Sequence, residues 1–212
     1  MAVLSLAQFA NRLRVTDYTF EPSENVQTTQ SIGGITYRVS RGPILWSGSI
    51  TCSAYTHDGQ AQLSALIDKI KRPGNQFLFT PPKKSRPASF QTGDDLSNVQ
   101  TNGTQASGYN IKLKGLPANY ELTEGDYFSF NLNGIHRIYR VVTAVTASAT
   151  GTATVEVNVP LASGGLPPAN TAVALINPVA TCQYRDRSYS GVTVGLSHSD
   201  SFSFSFVQTI RI

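Results

Sequence analysis

"SFSFSFVQTIRI", residues 201–212, alternates aromatic or aliphatic side chains with small polar ones. Phe202, Phe204, Phe206, Ile210 and Ile212 fall on one side of an extended chain, with Ser201, Ser203, Ser205, Thr209 and Arg211 on the other. Successive strand side chains point to opposite faces, so this segment needs a sheet that buries one of them. Two sheets could take it: one formed by the strands just before it, or one formed by the beginning of the chain. Its choice decides whether the protein is a succession of units or one unit interrupted by another.

The beginning of the chain offers such a sheet. In "ILWSGSITCSAY" the residues Ile44, Trp46, Ile50 and Cys52 alternate with Ser47, Ser49, Thr51 and Ser53, which predicts a half-buried strand with Gly48 as a bulge. Asp58 stands where a helix N-cap is expected. Leu63, Leu66, Ile67 and Ile70 then recur at helical spacing, with Gln60, Gln62, Asp68 and Lys69 facing away. The predicted helix covers 59–72. Lys69, Lys71 and Arg72 suit the negative end of its dipole, and Pro73-Gly74 stops it. "NQFLF" follows as a short strand with Phe77 and Phe79 on one face, completing a strand, helix, strand unit. Within the first 42 residues "DYTFEP" and "ITYRVS" read as short strands.

After Phe79 the character changes. "PPKKSRP" and the almost apolar-free run "QTGDDLSNVQTNGTQASG" predict a flexible polar segment over 91–108. A second β unit follows. "YNIKLKGL", "DYFSFNL", "IHRIYRVVTAV", "TGTATVEVNVPL", "TAVALI" and "VATCQYR" give about six strands, with a hairpin at Asn133-Gly134. That number suits a small barrel or sandwich. Charge differs between the regions: residues 88–198 hold six basic and seven acidic residues, and the remainder eleven and six.

Only 14% of the 212 residues are charged, against roughly a quarter in ordinary globular chains. A surface so poor in charge suits packing against further copies, and equally suits an ordinary polar β surface. The first residues, "MAVLSLAQFANRLRV", hold no apolar run of signal-peptide length, and no stretch approaches a membrane span. Cys52 and Cys182 are expected as buried free thiols. With His57, His136 and His198 they show no metal-ligand spacing. No GxSxG or SxxK motif is present, and the close carboxylates Glu124/Asp126 and Asp94/Asp95 sit in turn contexts, so no catalytic residue, cofactor or metal is predicted. Lys69, Lys71, Arg72, Lys83, Lys84 and Arg86 flank the Phe77–Phe79 strand. Basic residues among aromatics can bind nucleic acid. The alternation of the two phenylalanines instead predicts a buried face, and the six cations form a solvated or intersubunit basic rim. Tyr109, Tyr120, Tyr127, Tyr139, Tyr184 and Tyr189 could supply sugar-stacking rings, which keeps a carbohydrate- or receptor-binding module as the alternative.

Two stretches carry a resemblance: "GPILWSGSITCSAYTHDGQAQLSALIDKIKRPGNQFLFTPP" and "GDYFSFNLNGIHRIYRVVTAVTASATGTATVEVNVPL". The first orders a W-x-G strand, an aliphatic helix, a G-x-x-F-x-F strand and prolines. Together they resemble the distal tail proteins of siphophages, the phages with long non-contractile tails. That resemblance implies a β-sandwich-like ring domain, here 1–87 and 188–212. It also implies an inserted small β-barrel domain, OB-like or galectin-like, at 88–187. It further implies a virion protein at the tail tip that assembles with itself as a hexameric ring. Such a ring joins the tail tube protein to the hub and tip proteins, lets DNA pass its lumen without specific binding, and inserts into no membrane. The terminal phenylalanine strand would then return to the first sheet.

Overall fold

The structure, a computed structural model, describes residues 3–53, 57–161, 165–185, 189 and 201–210. Among these residues the chain is mainly β with one α-helix. In order come β1 (Val3–Leu4), a 3-10 turn at Ala10–Arg12, β2 (Val15–Ser23), β3 (Val26–Gln30), β4 (Thr36–Ser40) and β5 (Leu45–Cys52). The helix α1 (His57–Lys71) precedes β6 (Gln76–Phe79), β7 (Gln100–Thr101), β8 (Asn110–Lys114), β9 (Glu121–Leu122) and β10 (Tyr127–Leu132). Then follow β11 (Ile135–Arg140), β12 (Val145–Thr146), β13 (Ala153–Glu156), β14 (Val173–Ala174), β15 (Ala180–Tyr184) and β16 (Phe202–Gln208).

The terminal phenylalanine strand returns to the beginning of the chain. Six strands form one sheet in the order β1-β6-β15-β16-β5-β2, and β16 lies antiparallel to both β5 and β15. Register puts Phe202 opposite Cys52, Phe204 opposite Ile50 and Phe206 opposite Gly48. One face of the sheet therefore collects Phe20, Trp46, Ile50, Phe77, Phe79 and the three β16 phenylalanines, all buried. Each buried phenylalanine contributes about 1.5–3 kcal/mol of transfer free energy. Ser47, Ser49, Thr51, Ser203 and Ser205 make the opposite face. Arg211 and Ile212 lie outside the described residues, as does the stretch around residue 188 where re-entry was expected.

Gly48 is not a bulge. The register shift lies in the neighbouring strand, between Val15 and Asp17. Gly48 instead marks a close approach: a β-carbon there would meet the Thr19 carbonyl oxygen at 2.2 Å and the Phe206 ring at 2.9 Å. Phe20 and Phe206, paired across it on either side, bring their ring centroids to 5.9 Å in the space a side chain would take.

α1 begins at His57, so Asp58 lies within the first turn rather than at the N-cap, where its carboxylate still complements the dipole. Leu63, Leu66, Ile67 and Ile70 are buried, as their spacing predicts. The helix ends at Lys71. Gly74 takes φ +83°, and the Asn75 side-chain amide donates to the Lys69 carbonyl, satisfying one of the last-turn acceptors. The strands on either side, β5 and β6, belong to one sheet but are separated there by β15 and β16.

The second unit differs from expectation in two ways. Residues 91–108 are not merely a polar connector. Leu96, Val99, Thr101 and Gln105 are buried there, and β7 pairs with β8. The Gln105 side chain accepts from the Lys112 amide and donates to the carbonyls of Asn102, Gly103 and Lys112, which stands in for missing backbone pairing. In turn "VATCQYR", placed with the second unit by sequence, is β15 of the main sheet, so the chain rejoins it at Ala180. Thr181 and Cys182 are both buried, so this strand shows no alternation to mark its sheet. Six of the strands left behind close a circuit, while β9 and β12 form a separate two-stranded sheet. β13, β8 and β7 form one ladder, and β14, β10 and β11 another. Bridges Gln100↔Ala172 and Val141↔Val157 join them at both ends. Ile111, Leu113, Phe128, Phe130, Val155 and Val173 are buried within this unit.

Polar contacts fasten the units together. The Trp46 indole N–H donates to the Ile138 carbonyl at 3.0 Å. Arg140 stands over the Trp46 ring and pairs with Glu21 at 3.0 Å. The His136 amide donates to the Thr181 hydroxyl. The buried Arg137 guanidinium donates to the carbonyls of Gly165 and Ile210, tying the second unit to the end of β16.

Candidate assembly surfaces

β3 and β4 form a hairpin that continues the β2–β5 ribbon away from the sheet, with Gln27 opposite Val39 and Thr29 opposite Tyr37. Its loop, Ser31 to Ile35, is closed by backbone bonds from Ser31 to Ile35 and from Gly34 to Ser31, with Gly34 at φ +79°. Strand alternation puts Ile35, Tyr37 and Val39 on one face. They are 58%, 53% and 62% exposed, and Ile32 at the tip is wholly exposed. A single copy thus leaves a row of four large apolar side chains in water, where such patches mark contact sites. The sequence reading found "ITYRVS" as a strand and missed its partner. Gly33-Gly34 between "VQTTQ" and "ITYRVS" was the signal for a hairpin.

Beside the arm, the β2 edge of the main sheet is protected. β2 carries a register break near Thr16, acidic residues at Asp17 and Glu21, and Pro22. Such devices keep strand edges from pairing with other chains. The contrast is informative: the edge is blunted while the arm is left apolar.

The six cations of the expected basic rim stand in two groups, one on either side of β6. Lys69, Lys71 and Arg72 stand before β6, and Lys83, Lys84 and Arg86 beyond its far end, roughly 13 Å of strand away. Lys71 lies over the Tyr189 ring at 4.2 Å and Arg86 over Phe90 at 5.2 Å, while Lys69, Arg72, Lys83 and Lys84 are exposed.

Among the clefts formed by the described residues, two are of about 450 Å³ and 510 Å³. The first lies where the 3-10 turn meets the sheet and is lined by Leu6, Ala10, Leu13, Ile50, Phe79 and Pro81, among others. No charged residue lines it. The second runs along β10 and β14, with Asp94, Asp95, Asn131 and His136 at its rim. Burial lowers the His136 pKa, so its imidazole is neutral near pH 7. The carboxylates there are engaged locally: Asp94 accepts from the Gln91 amide, and Asp95 from Ser97 and Asn98. Hydrogen bonds from Ser97 hold Asp95 below the usual carboxylate range. Phe130, the phenylalanine lining this cleft, is buried, and of the six tyrosines named for sugar stacking only Tyr109 is exposed.

Asp126 is buried and accepts from the amides of Ala88 and Thr123 and from the Thr123 hydroxyl, which makes it a turn brace. Both cysteines are buried. Cys52 faces Phe202 and Cys182 faces Gln208, six positions apart on β16, or roughly 20 Å along the strand. That is far beyond disulfide reach. Burial pushes the Cys52 thiol up to about 12 and Cys182 further. Among the described residues no group of three His, Cys, Asp or Glu could hold a metal, and no helix is long and apolar enough to cross a membrane. A comparison with protein-family models and with curated proteins finds no match to this chain.

Proposed function

We propose that this chain is a structural protein of a long, non-contractile phage tail, forming a ring at the distal end that joins the tail tube to the tip. The observation that carries this reading is the interrupted main sheet. The chain leaves it after Phe79, builds a closed circuit of strands, and rejoins it at Ala180, with β16 completing the sheet. An inserted β unit within a ring scaffold is the organisation implied by the likeness to distal tail proteins. It gives a repeating scaffold that packs around an axis and a second unit displayed away from it. The closed circuit is then the outer barrel. The cations at the helix end and after Pro82 are then rim groups facing neighbouring tail proteins. Rings of this kind require interfaces of order 1,000 Å² per contact. Negative-stain images of the purified chain test the proposal: closed rings with an open centre are expected, and particles of single-copy size at every concentration contradict it.

A further inference from the structure

We infer that the β3–β4 arm of one copy docks in the 450 Å³ cleft of the next, so that each chain is at once donor and acceptor in a head-to-tail contact. This rests on the assembly reading above and specifies the contact by which it occurs. The arm brings Ile32 at its tip and Ile35, Tyr37 and Val39 along one face, all exposed in a single copy. The cleft offers Leu6, Ala10, Leu13, Ile50, Phe79 and Pro81.

Three features select a second copy as the occupant. The first is charge. Residues 25–37 contain no charged side chain, Arg38 further along β4 is paired with Glu24, and no charge lines the cleft. Nucleic acid or an anionic membrane would need cations on the receiving surface. The second is position. Leu13 and Val15 border the cleft at one end of β2, and the arm leaves from the other end of this nine-residue strand, roughly 26 Å away. The arm continues the ribbon outward and its tip is wholly exposed, so it does not cover its own cleft. The third is economy of cover. A small apolar molecule would fill the cleft and leave the arm in water, whereas a second copy covers both. Donor and acceptor are different patches of the same chain, so the contact is heterologous and propagates around an axis. The protected β2 edge agrees, since it turns strand pairing away from the element beside the arm.

Cross-linking of the full chain tests this directly. Cys52 and Cys182 are buried and stay silent toward a short bismaleimide, so the introduced cysteines of Ile32→Cys and Asn11→Cys report alone. Asn11 borders the cleft. Mixing the two variants is expected to give a covalent dimer that neither gives by itself, and the double variant a ladder of multimers. Ile32→Asp, on an exposed loop, is expected to leave the circular dichroism spectrum unchanged and to raise the concentration needed for assembly at least tenfold. An assembled protein without the Ile32→Cys to Asn11→Cys product overturns the docking while leaving assembly intact. So does a dimer of the Ile32→Cys chain alone, a purely intrachain link, or wild-type assembly by Ile32→Asp. A chain that stays monomeric at all concentrations overturns both readings.

Discussion

Gly48 has a phenylalanine across each neighbouring strand and no room for a methyl group. A β-carbon at 2.2 Å from a backbone oxygen cannot be relieved by a rotamer change, so the strands must part. Gly48→Ala is expected to cost about 1–3 kcal/mol in denaturant unfolding, whereas Ser49→Ala on the open face stays within about 0.5 kcal/mol of wild type. The two thiols give a second residue-level expectation. Folded protein at pH 8 should react with a thiol reagent only as fast as it unfolds, and two equivalents should appear on denaturation. The linkage sign follows from the raised values. The unfolded chain loses its thiol protons from around pH 9 upward while the folded chain keeps them, so their stabilising contribution is present below that range. It declines as pH rises toward about 12. Stability that increases between pH 8.5 and 10 would contradict the burial of both cysteines.

Among elements, β16 and α1 carry the core, while the arm carries none of it. Phe204→Asp places an uncompensated charge beneath the sheet and is expected to abolish cooperative folding; Ile67→Ala should cost about 2–5 kcal/mol. Ile35→Ser and Tyr37→Ser in the arm should shift the denaturation midpoint of a dilute, unassembled sample by less than about 0.5 kcal/mol equivalent. Deleting residues 95–105 removes Leu96, Val99, β7 and the Gln105 bridge, and is expected to unfold the second unit; an unchanged unfolding transition would contradict its place in the circuit. These elements also show what a sequence can reveal. The Phe/Ser alternation of β16 and the 3.6-residue period of Leu63, Leu66, Ile67 and Ile70 are strong local signals, because one face must be buried and the other not. Gln105 gave no such signal: its burial depends on hydrogen bonds to Lys112, not on its own polarity. β15 gave none because both its faces are covered. The arm read poorly because its apolar residues lie outside any core. The charge pattern marked two regions, but the separation of the six cations along β6 does not appear in spacing alone.

For the whole molecule, the junction between the main sheet and the second unit governs whether they behave as one body. Trp46 is the centre of it, stacked with Phe20, bonded to Ile138 and covered by Arg140. Trp46→Phe keeps most of the packing but leaves the Ile138 carbonyl without its donor, at an expected cost of about 1–3 kcal/mol. Under heat it should separate one unfolding transition into two; a single unchanged transition would show that the contacts through Arg137 and Thr181 suffice. At the largest scale the low charge, the uncovered arm and the blunted β2 edge are the features on which the proposed assembly rests. The most direct measurement is the solution mass of the purified full-length chain across a concentration series, by sedimentation. The account predicts a closed multiple of the 22.8 kDa chain that dissociates when Ile32 is made acidic. A sedimenting species of single-chain mass at every concentration would contradict it.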